Sequence, residues 1–309
     1  VENLADSQDI LATRRCMEAL LTSGEAHPRL DCGESGSTLR FLIPVALALK
    51  GGGAFTGRGR LMERPQGPYF ALFDEKGVFY EQSDGVLTAV GRLTPGTYRL
   101  PGDVSSQFVT GLLYALPLLD GDSEIVLTSS LESRGYVDMT LDVLGKFGVA
   151  VQETGIGFRI PGNQAYRPRP MSIEADWSQG AFWYAARFLG HPVEAVGLDP
   201  ASAQGDRVIQ AFFDQLSGPE EAALDLSGCP DLAPPLAAMA ALRAGRTTRL
   251  VNAARLRIKE SDRLSSVTQV LASLGAEVEE GPDYLVIRGK DRLSGGCSAG
   301  AHNDHRIAM

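Results

Sequence analysis

The chain has 309 residues, a hydrophobic content of 44% and a net charge of −9. This size is sufficient for two globular domains with cores of their own, and the composition is neither fibrous nor disordered. The acidic balance and the lack of any lysine-rich run argue against nucleic acid as a partner. The longest apolar stretches, such as residues 41–49, are far too short to span a bilayer, and the first residues contain no apolar signal core.

Cysteine spacing bears on metal binding and on compartment. The cysteines, Cys16, Cys32, Cys229 and Cys297, are widely scattered and form no CxxC pair. This spacing is not that of a zinc site, and free thiols fit a reducing cytoplasm. The sequence therefore predicts a cytoplasmic protein without a metal centre.

A short strand that ends in a polar turn and opens an apolar helix recurs along the chain. The copies lie at residues 31–49, 102–119, 174–189, 229–242 and 301–309. Ser, Asp, Asn or Gly at each helix start and apolar faces beyond it predict capped, buried helices. Because helix N-termini present free N–H groups and a partial positive charge, several of them can form an anion site. For any one copy, a merely well-capped helix is the alternative.

A second repeat has the pattern helix end, glycine, strand, turn, strand. Residues 143–162 and 270–289 align over this pattern without a gap, and looser copies of the helix lie at residues 7–23 and 206–216. One unit would contain about 60–70 residues of mixed α and β structure, which indicates repeated folding modules.

A domain boundary is predicted where proline, glycine and arginine accumulate. Residues 162–170 have this composition, and a strand is predicted at residues 171–175. We place the first domain at residues 1–168 and the second at residues 169–309.

The densest charge lies in residues 252–264, between a strand-like run at residues 248–252 and a helical run at residues 264–274. Cations beside acids at such a junction suit a buried anionic ligand, and Glu260 beside Lys259 can move a proton. A solvated charged turn is the alternative for this segment taken alone.

Two further segments contain residues that suit anions. Pro65 restricts the backbone after Arg64, which would aim a guanidinium that suits phosphate or carboxylate. Ser105, Ser106 and Gln107 begin a helix, and their hydroxyls and amide can bind phosphate oxygens. An ordinary N-cap would need only one of these three residues.

Asp231 and Arg306 begin two other helices. Asp231 precedes a nearly all-apolar helix and is either a cap or, if it faces a cleft, a general base. Arg306 would add a cation, whereas Ser133, which precedes a helix near Asp138, is a weak signal alone. Motifs of other chemistries, GxxxxGK[ST], GxGxxG after a strand and HExxH, are missing, and residues 33–37 are one residue short of GxSxG.

A family resemblance rests on seven motifs in this order: DCGESGSTLRF, LMERPQGPY, PGDVSSQF, ESRGYVDMTL, PDLAPPLA, RIKESDRL and NDHRIAM. They cover nearly the whole chain and resemble 5-enolpyruvylshikimate-3-phosphate (EPSP) synthase, also called 3-phosphoshikimate 1-carboxyvinyltransferase. The resemblance implies an α/β fold with two similar domains of repeated βαβαββ units, an inside-out α/β barrel arrangement, and an active site in the interdomain cleft. It also implies transfer of the enolpyruvyl group of phosphoenolpyruvate to the 5-hydroxyl of shikimate 3-phosphate, with release of phosphate, in the shikimate pathway of aromatic amino-acid biosynthesis.

The resemblance also implies roles for individual residues. Shikimate 3-phosphate would be bound by Ser105, Ser106, Gln107, Ser133, Asp231, Lys259 and Arg255. Phosphoenolpyruvate would be bound by Gly36, Arg64, Gln107, Arg263 and Arg306. Asp231 resembles the base at the 5-hydroxyl, and Glu260 resembles the proton donor to the methylene carbon, with Lys259 assisting. Arg255 stands where some members have asparagine.

The same resemblance implies a monomer that needs no metal or organic cofactor. Gly36 matches the form that the herbicide glyphosate inhibits. Family members also have a Lys-Ser pair and an arginine in a segment that would precede Val1, and a lysine in one that would follow Met309. We therefore expect the chain to correspond to an interior portion of such an enzyme and to have little activity alone. The alternatives are UDP-N-acetylglucosamine enolpyruvyl transferase, which typically uses a loop cysteine, and a non-catalytic anion-binding member of this fold.

Overall fold

A computed structural model describes residues 1–309, which form ten α-helices and twelve β-strands. The helices are α1 (Gln8–Thr22), α2 (Gly36–Lys50), α3 (Gly67–Lys76), α4 (Ser106–Ala115), α5 (Arg134–Lys146), α6 (Trp177–Phe188), α7 (Ile209–Ser217), α8 (Ala233–Ala241), α9 (Arg263–Ser273) and α10 (His305–Ala308). The strands are β1 (Arg29–Asp31), β2 (Gly52–Thr56), β3 (Phe79–Ser83), β4 (Val86–Val90), β5 (Gly96–Leu100), β6 (Ser123–Leu127), β7 (Gln152–Thr154), β8 (Gly157–Ile160), β9 (Ala222–Asp225), β10 (Thr247–Val251), β11 (Glu277–Glu280) and β12 (Leu285–Arg288). The predicted α/β class is confirmed.

Three copies of one βαβαββ module account for all of the sheets. Their strand orders are β1-β2-β4-β3, β5-β6-β8-β7 and, read from the other edge, β9-β10-β12-β11. In each copy the first two strands pair in parallel through a helix, and a hairpin then adds two antiparallel strands. The aligned sequence repeats contain the end of α5 or α9 and the hairpin that follows, so the prediction of repeated modules is confirmed.

A glycine ends the helix before each of the two aligned hairpins. Gly148 has a φ of 80° and Gly275 a φ of 86°. A side chain at these left-handed positions would be strained, so glycine lets the chain reverse from the helix into the first hairpin strand.

A fourth copy of the module is incomplete. Helices α6 and α7 are present, but α7 ends at Ser217 and β9 begins at Ala222, which leaves no room for a hairpin. The strand predicted at residues 171–175 was wrong, since this segment forms only an isolated bridge between Ser172 and Glu2. In the complete copies the first strand pairs only with the second. The fourth copy has no strand between α6 and α7, so residues 171–175 lack a neighbour for their backbone hydrogen bonds.

Arg243 closes the short connection after α7. Its guanidinium is 5% exposed and donates hydrogen bonds to the carbonyls of Leu216, Gly218 and Glu220 and to the Thr248 hydroxyl. Leu216 is buried, whereas Gly218 is half-buried and Glu220 is exposed. Arg243 therefore satisfies a carbonyl that water does not reach easily and ties together the chain between α7 and β9.

The chain divides into two compact units, residues 1–173 and 174–309, each with its own hydrophobic core. Helices α2 and α4 carry much of the first core, and α8 runs through the second. The sequence boundary at residues 168/169 stays a prediction. No helix combines the length and apolar character needed to cross a membrane.

Candidate functional site

In the first unit, Gly36 and Arg64 are in close contact. Gly36 begins α2, where the side chain of Ser35 caps the helix by accepting from the Thr38 N–H. A Cβ added to Gly36 would lie only 2.9 Å from Cζ of Arg64 and 3.2 Å from Nη2. The guanidinium therefore rests on bare backbone at a helix N-terminus, an arrangement that suits an anion.

Arg40 organises the same region and was missed by the sequence reasoning. It is 4% exposed, and its Nη1 donates to Oε1 of Gln107 at 2.8 Å while its Nη2 donates to the carbonyl of Pro65 at 2.9 Å. The Gln107 amide donates in turn to the Ser37 hydroxyl at 3.2 Å. Arg40 thus links α2 to α4 and to the turn after Arg64, and its signal was a single arginine inside an apolar helix.

The predicted serine ligands lie at two neighbouring turns. Ser105 caps α4 and accepts from the Gln107 N–H at 3.3 Å, and Ser106 is 4% exposed. Ser133 precedes α5, is 1% exposed and has a φ of 52°. This left-handed conformation is uncommon for serine and marks a turn that its surroundings impose. The two turns are joined by a hydrogen bond from the Glu132 N–H to the Gly102 carbonyl at 3.1 Å.

In the second unit, Arg263 lies at the centre of an ion-pair network. It begins α9, is 1% exposed and donates to Asp231 and Glu260, each at 2.7 Å, and to Asp304 at 2.9 Å. A buried guanidinium is tolerated because its planar donors are matched by acceptors on three sides. Asp304 also caps α10 and accepts from the Ser261 hydroxyl at 3.1 Å.

Asp231 also contacts the two other cations of this network, Lys259 and Arg306. Lys259 Nζ lies 3.7 Å from Oδ1 of Asp231, and Arg306 Nη2 lies 3.1 Å from Oδ2. The three cations Lys259, Arg263 and Arg306 thus face three carboxylates, those of Asp231, Glu260 and Asp304. We call these six side chains the charge cluster. The structure brings five predicted residues together in it, and Asp304 is the one that sequence reasoning did not assign, although it stands in the NDHR motif before a helix.

The charge cluster shifts the acid strength of its members. Burial acts to raise the pKa of the Asp231 carboxyl, but the charges of Lys259, Arg306 and Arg263 outweigh burial and hold that pKa well below its ordinary value. Burial lowers the pKa of the Lys259 ammonium, and the charge of Asp231 offsets only part of that effect. Asp231 is therefore ionised at neutral pH, and Lys259 gives up a proton more readily than a surface lysine.

Not every charge of residues 252–264 belongs to this cluster. Arg257 pairs with Asp262 at 3.1 Å and with Glu280 at 2.8 Å, and Asp262 caps α9 through the Ser265 N–H. For Arg257 and Asp262, the alternative of a charged turn without a ligand is the better interpretation. Arg255 donates to the Ser227 carbonyl at a long 3.5 Å. No group of three or more His, Cys, Asp or Glu side chains in the chain is arranged to bind a metal ion.

Comparison with known proteins gives one family. A family model for EPSP synthase (3-phosphoshikimate 1-carboxyvinyltransferase) matches residues 1–309. A 3-phosphoshikimate 1-carboxyvinyltransferase from Clostridium kluyveri is 48% identical over 300 residues, which cover 91% of this chain and 70% of the relative. The enzyme of that name from Clostridium novyi is 41% identical over 352 aligned positions, which cover 100% of this chain and 80% of the relative.

Solved structures support the fold. An EPSP synthase from Acinetobacter baumannii has a TM-score of 0.71 at 22% identity and covers 99% of this chain and 81% of its own. The enolpyruvyl transferase NikO from Streptomyces tendae has a TM-score of 0.58 at 17% identity over 82% of this chain and 63% of its own.

Proposed function

The chain belongs to the EPSP synthase family, and we propose how its residues carry out the reaction of a 3-phosphoshikimate 1-carboxyvinyltransferase. The enzyme transfers the enolpyruvyl group of phosphoenolpyruvate to the 5-hydroxyl of shikimate 3-phosphate and releases phosphate. The charge cluster is the observation that carries the proposal, because it combines anion-binding cations with a carboxylate base and a carboxylate acid in one place.

Arg306 and Arg263 are the proposed ligands of phosphoenolpyruvate in the second unit. Arg306 is 9% exposed, and its Nη1 is a buried nitrogen without a hydrogen-bond partner. A buried cationic donor without an acceptor is costly, and an anionic ligand would remove that cost.

Asp231 is the proposed base at the 5-hydroxyl of shikimate 3-phosphate. In the free chain it is ionised but weakly basic, because Lys259, Arg306 and Arg263 stabilise its negative charge. Phosphoenolpyruvate would compete with Asp231 for the two arginines, and the pKa of the carboxyl would then rise towards its ordinary value. The base would gain strength when the second substrate is bound, which favours proton transfer at the right moment.

Glu260 is the proposed donor of a proton to the methylene carbon of phosphoenolpyruvate. Its carboxylate is held by Arg263 at 2.7 Å, which fixes the direction in which it can deliver a proton. Lys259, the next residue in sequence, has a pKa lowered by burial and can supply that proton. Protonating the carbon while a base takes the hydroxyl proton is the pairing that an addition–elimination reaction needs.

The first unit supplies the other proposed ligands. Ser105, Ser106 and Ser133 would bind the phosphate of shikimate 3-phosphate, helped by the free N–H groups at the start of α4. Arg64, lying on Gly36, would bind phosphoenolpyruvate. Gln107 is proposed for both substrates, and its contact with Arg40 supports this because that contact orients the amide. Arg255 is proposed as an added contact to shikimate 3-phosphate.

We propose further that the enzyme works as a cytoplasmic monomer without a metal or organic cofactor, and that glyphosate competes with phosphoenolpyruvate. UDP-N-acetylglucosamine enolpyruvyl transferase and a binding-only protein are the competing functions. No contact in the charge cluster favours either of them, since a binding-only protein has no need of both a base and an acid there.

The function is tested by phosphate release from phosphoenolpyruvate with and without shikimate 3-phosphate. The assay uses both these 309 residues and a version extended at both ends. We expect release only with both substrates and mainly in the extended version, in which Asp231→Asn should lower turnover by about 10²–10⁴-fold. Asp214→Asn on the exposed face of α7 is the matched control and should behave as the wild type. Release with UDP-N-acetylglucosamine instead would favour the sister enzyme, and no release with any acceptor would leave the binding-only function.

A further inference from the structure

Arg306 is held by a neutral partner as well as by a carboxylate. Its Nη2 donates to the hydroxyl of Ser178 at 3.0 Å and lies 3.1 Å from the carboxylate of Asp231. Ser178 lies in the first turn of α6 and is 3% exposed. The contact therefore joins two helices that are far apart in sequence, at a cation whose Nη1 is buried without a hydrogen-bond partner.

The orientation of the Ser178 hydroxyl follows from its second contact. The hydroxyl lies 2.6 Å from Oδ1 of Asp176, which also accepts from the backbone N–H groups of Ser178 and Gln179. Because a carboxylate only accepts, the Ser178 hydrogen points to Asp176 and a lone pair is left for Arg306. Asp176 alone satisfies the cap of α6, so the Ser178 hydroxyl is not needed for that cap.

We infer that Ser178 is a positioning residue that fixes the Arg306 guanidinium so that Nη1 faces the anion of phosphoenolpyruvate; this rests on the proposed function. The guanidinium is planar, so anchoring Nη2 on two acceptors fixes the direction of Nη1. Phosphoenolpyruvate would compete with Asp231 for the Arg306 guanidinium. The neutral Ser178 hydroxyl does not compete with the anion and stays in place when the anion arrives. Ser178 thus holds the cation during the step in which its carboxylate partner is exchanged.

Ser178→Ala is the test, with steady-state kinetics on the version extended at both ends. Loss of a hydrogen bond to a charged group corresponds to roughly tenfold or more in affinity. We therefore expect the KM for phosphoenolpyruvate to rise about tenfold while the KM for shikimate 3-phosphate stays unchanged. Ser178→Thr keeps the hydroxyl and should restore the wild-type KM.

Ser266→Ala is the matched control for an effect on folding alone. Ser266 is 4% exposed on α9, and its hydroxyl donates to the backbone carbonyl of Asp262. It should change thermal stability as much as Ser178→Ala does but leave both KM values unchanged. An unchanged KM for phosphoenolpyruvate in Ser178→Ala, or equal increases for both substrates, would overturn the inference.

Direct binding separates this inference from the proposed function. If the wild type releases no phosphate, phosphoenolpyruvate can be titrated calorimetrically in the presence of shikimate 3-phosphate, since neither is consumed. About tenfold weaker binding to Ser178→Ala than to wild type would then keep the positioning role and refute the function. Equal binding to both proteins, or no binding to the wild type, would refute the positioning role.

Discussion

Replacing Gly36 by alanine should damage phosphoenolpyruvate binding without damaging the fold. The added methyl group would lie 2.9 Å from Cζ of Arg64, where an ordinary contact is about 3.4–4 Å, and closer still to Nη1. Its neighbours there are the end of a flexible side chain, so the guanidinium must retreat by roughly 0.5–1 Å and the backbone need not move.

The size of the effect follows from the contact that Arg64 would lose. A hydrogen bond between charged groups contributes about 1.5–3 kcal/mol, so a misplaced guanidinium should raise the KM for phosphoenolpyruvate roughly 10–100-fold. The KM for shikimate 3-phosphate should stay within about twofold, because its proposed ligands do not touch the new methyl group. Stability should be unchanged or higher by about 0.5–1 kcal/mol, since alanine is the better helix former.

Phosphate release at varied concentrations of each substrate, together with thermal unfolding, measures all three quantities. Gly67→Ala is the matched control, since Gly67 also begins a helix of the first unit and an added Cβ there meets nothing within 4 Å. A Gly36→Ala variant with wild-type KM for phosphoenolpyruvate would show that Arg64 is not a ligand in its present position. A variant that loses stability would show that the backbone, and not the guanidinium, absorbs the methyl group.

Three further predictions concern the second unit. Arg243→Met should lower the free energy of unfolding in urea by about 2–4 kcal/mol, because the Leu216 carbonyl and the buried Thr248 hydroxyl lose their donor. Arg249→Met, at an exposed position of β10, is the control, and equal values for the two variants would mean that the short connection needs no arginine. Lys259→Met should weaken binding of shikimate 3-phosphate and cut turnover by about 10²-fold, and wild-type kinetics would remove it from the site. The carboxyls of Asp231 and Asp304 have lowered pKa values in the folded chain, so the stability they contribute is present above pH about 4 and is lost as pH falls below it. In Asp304→Asn, the free energy of unfolding measured with urea should fall less steeply between about pH 4 and 2 than in the wild type. An unchanged pH dependence would argue against a stabilising Arg263–Asp304 ion pair.

Local features of the sequence were enough to predict the modules. Helix caps, apolar faces and the glycines before hairpins act within a few residues, so the pattern of α5 with its hairpin could be matched to that of α9 without any tertiary contact. The gathering of Arg263 and Arg306 around Asp231 was expected from the family motifs. Periodicity alone would not have brought together residues so distant in sequence.

Other features depend on contacts that a linear pattern does not contain. Residues 171–175 have the composition of a strand, yet a strand forms only where a neighbour exists, and no second strand forms between α6 and α7 to be that neighbour. Arg40 and Ser178 were overlooked for a related reason. Each is an ordinary helix residue in the sequence, and its role comes from a partner 67 or 128 residues away.

The balance of charge in the cluster changes how substrate binding should be understood. Taken one by one, Lys259, Arg263 and Arg306 suggest a positive pocket that waits for an anion, but in the structure Asp231 alone contacts all three. An anion that binds these cations would therefore have to displace the Asp231 carboxylate. Its affinity would be the difference between the free energy of its own ion pairs and that of the ion pairs of Asp231. In the proposed mechanism the same exchange would raise the basicity of Asp231 only when phosphoenolpyruvate is bound, so one set of ion pairs would couple recognition of the substrate to activation of the base.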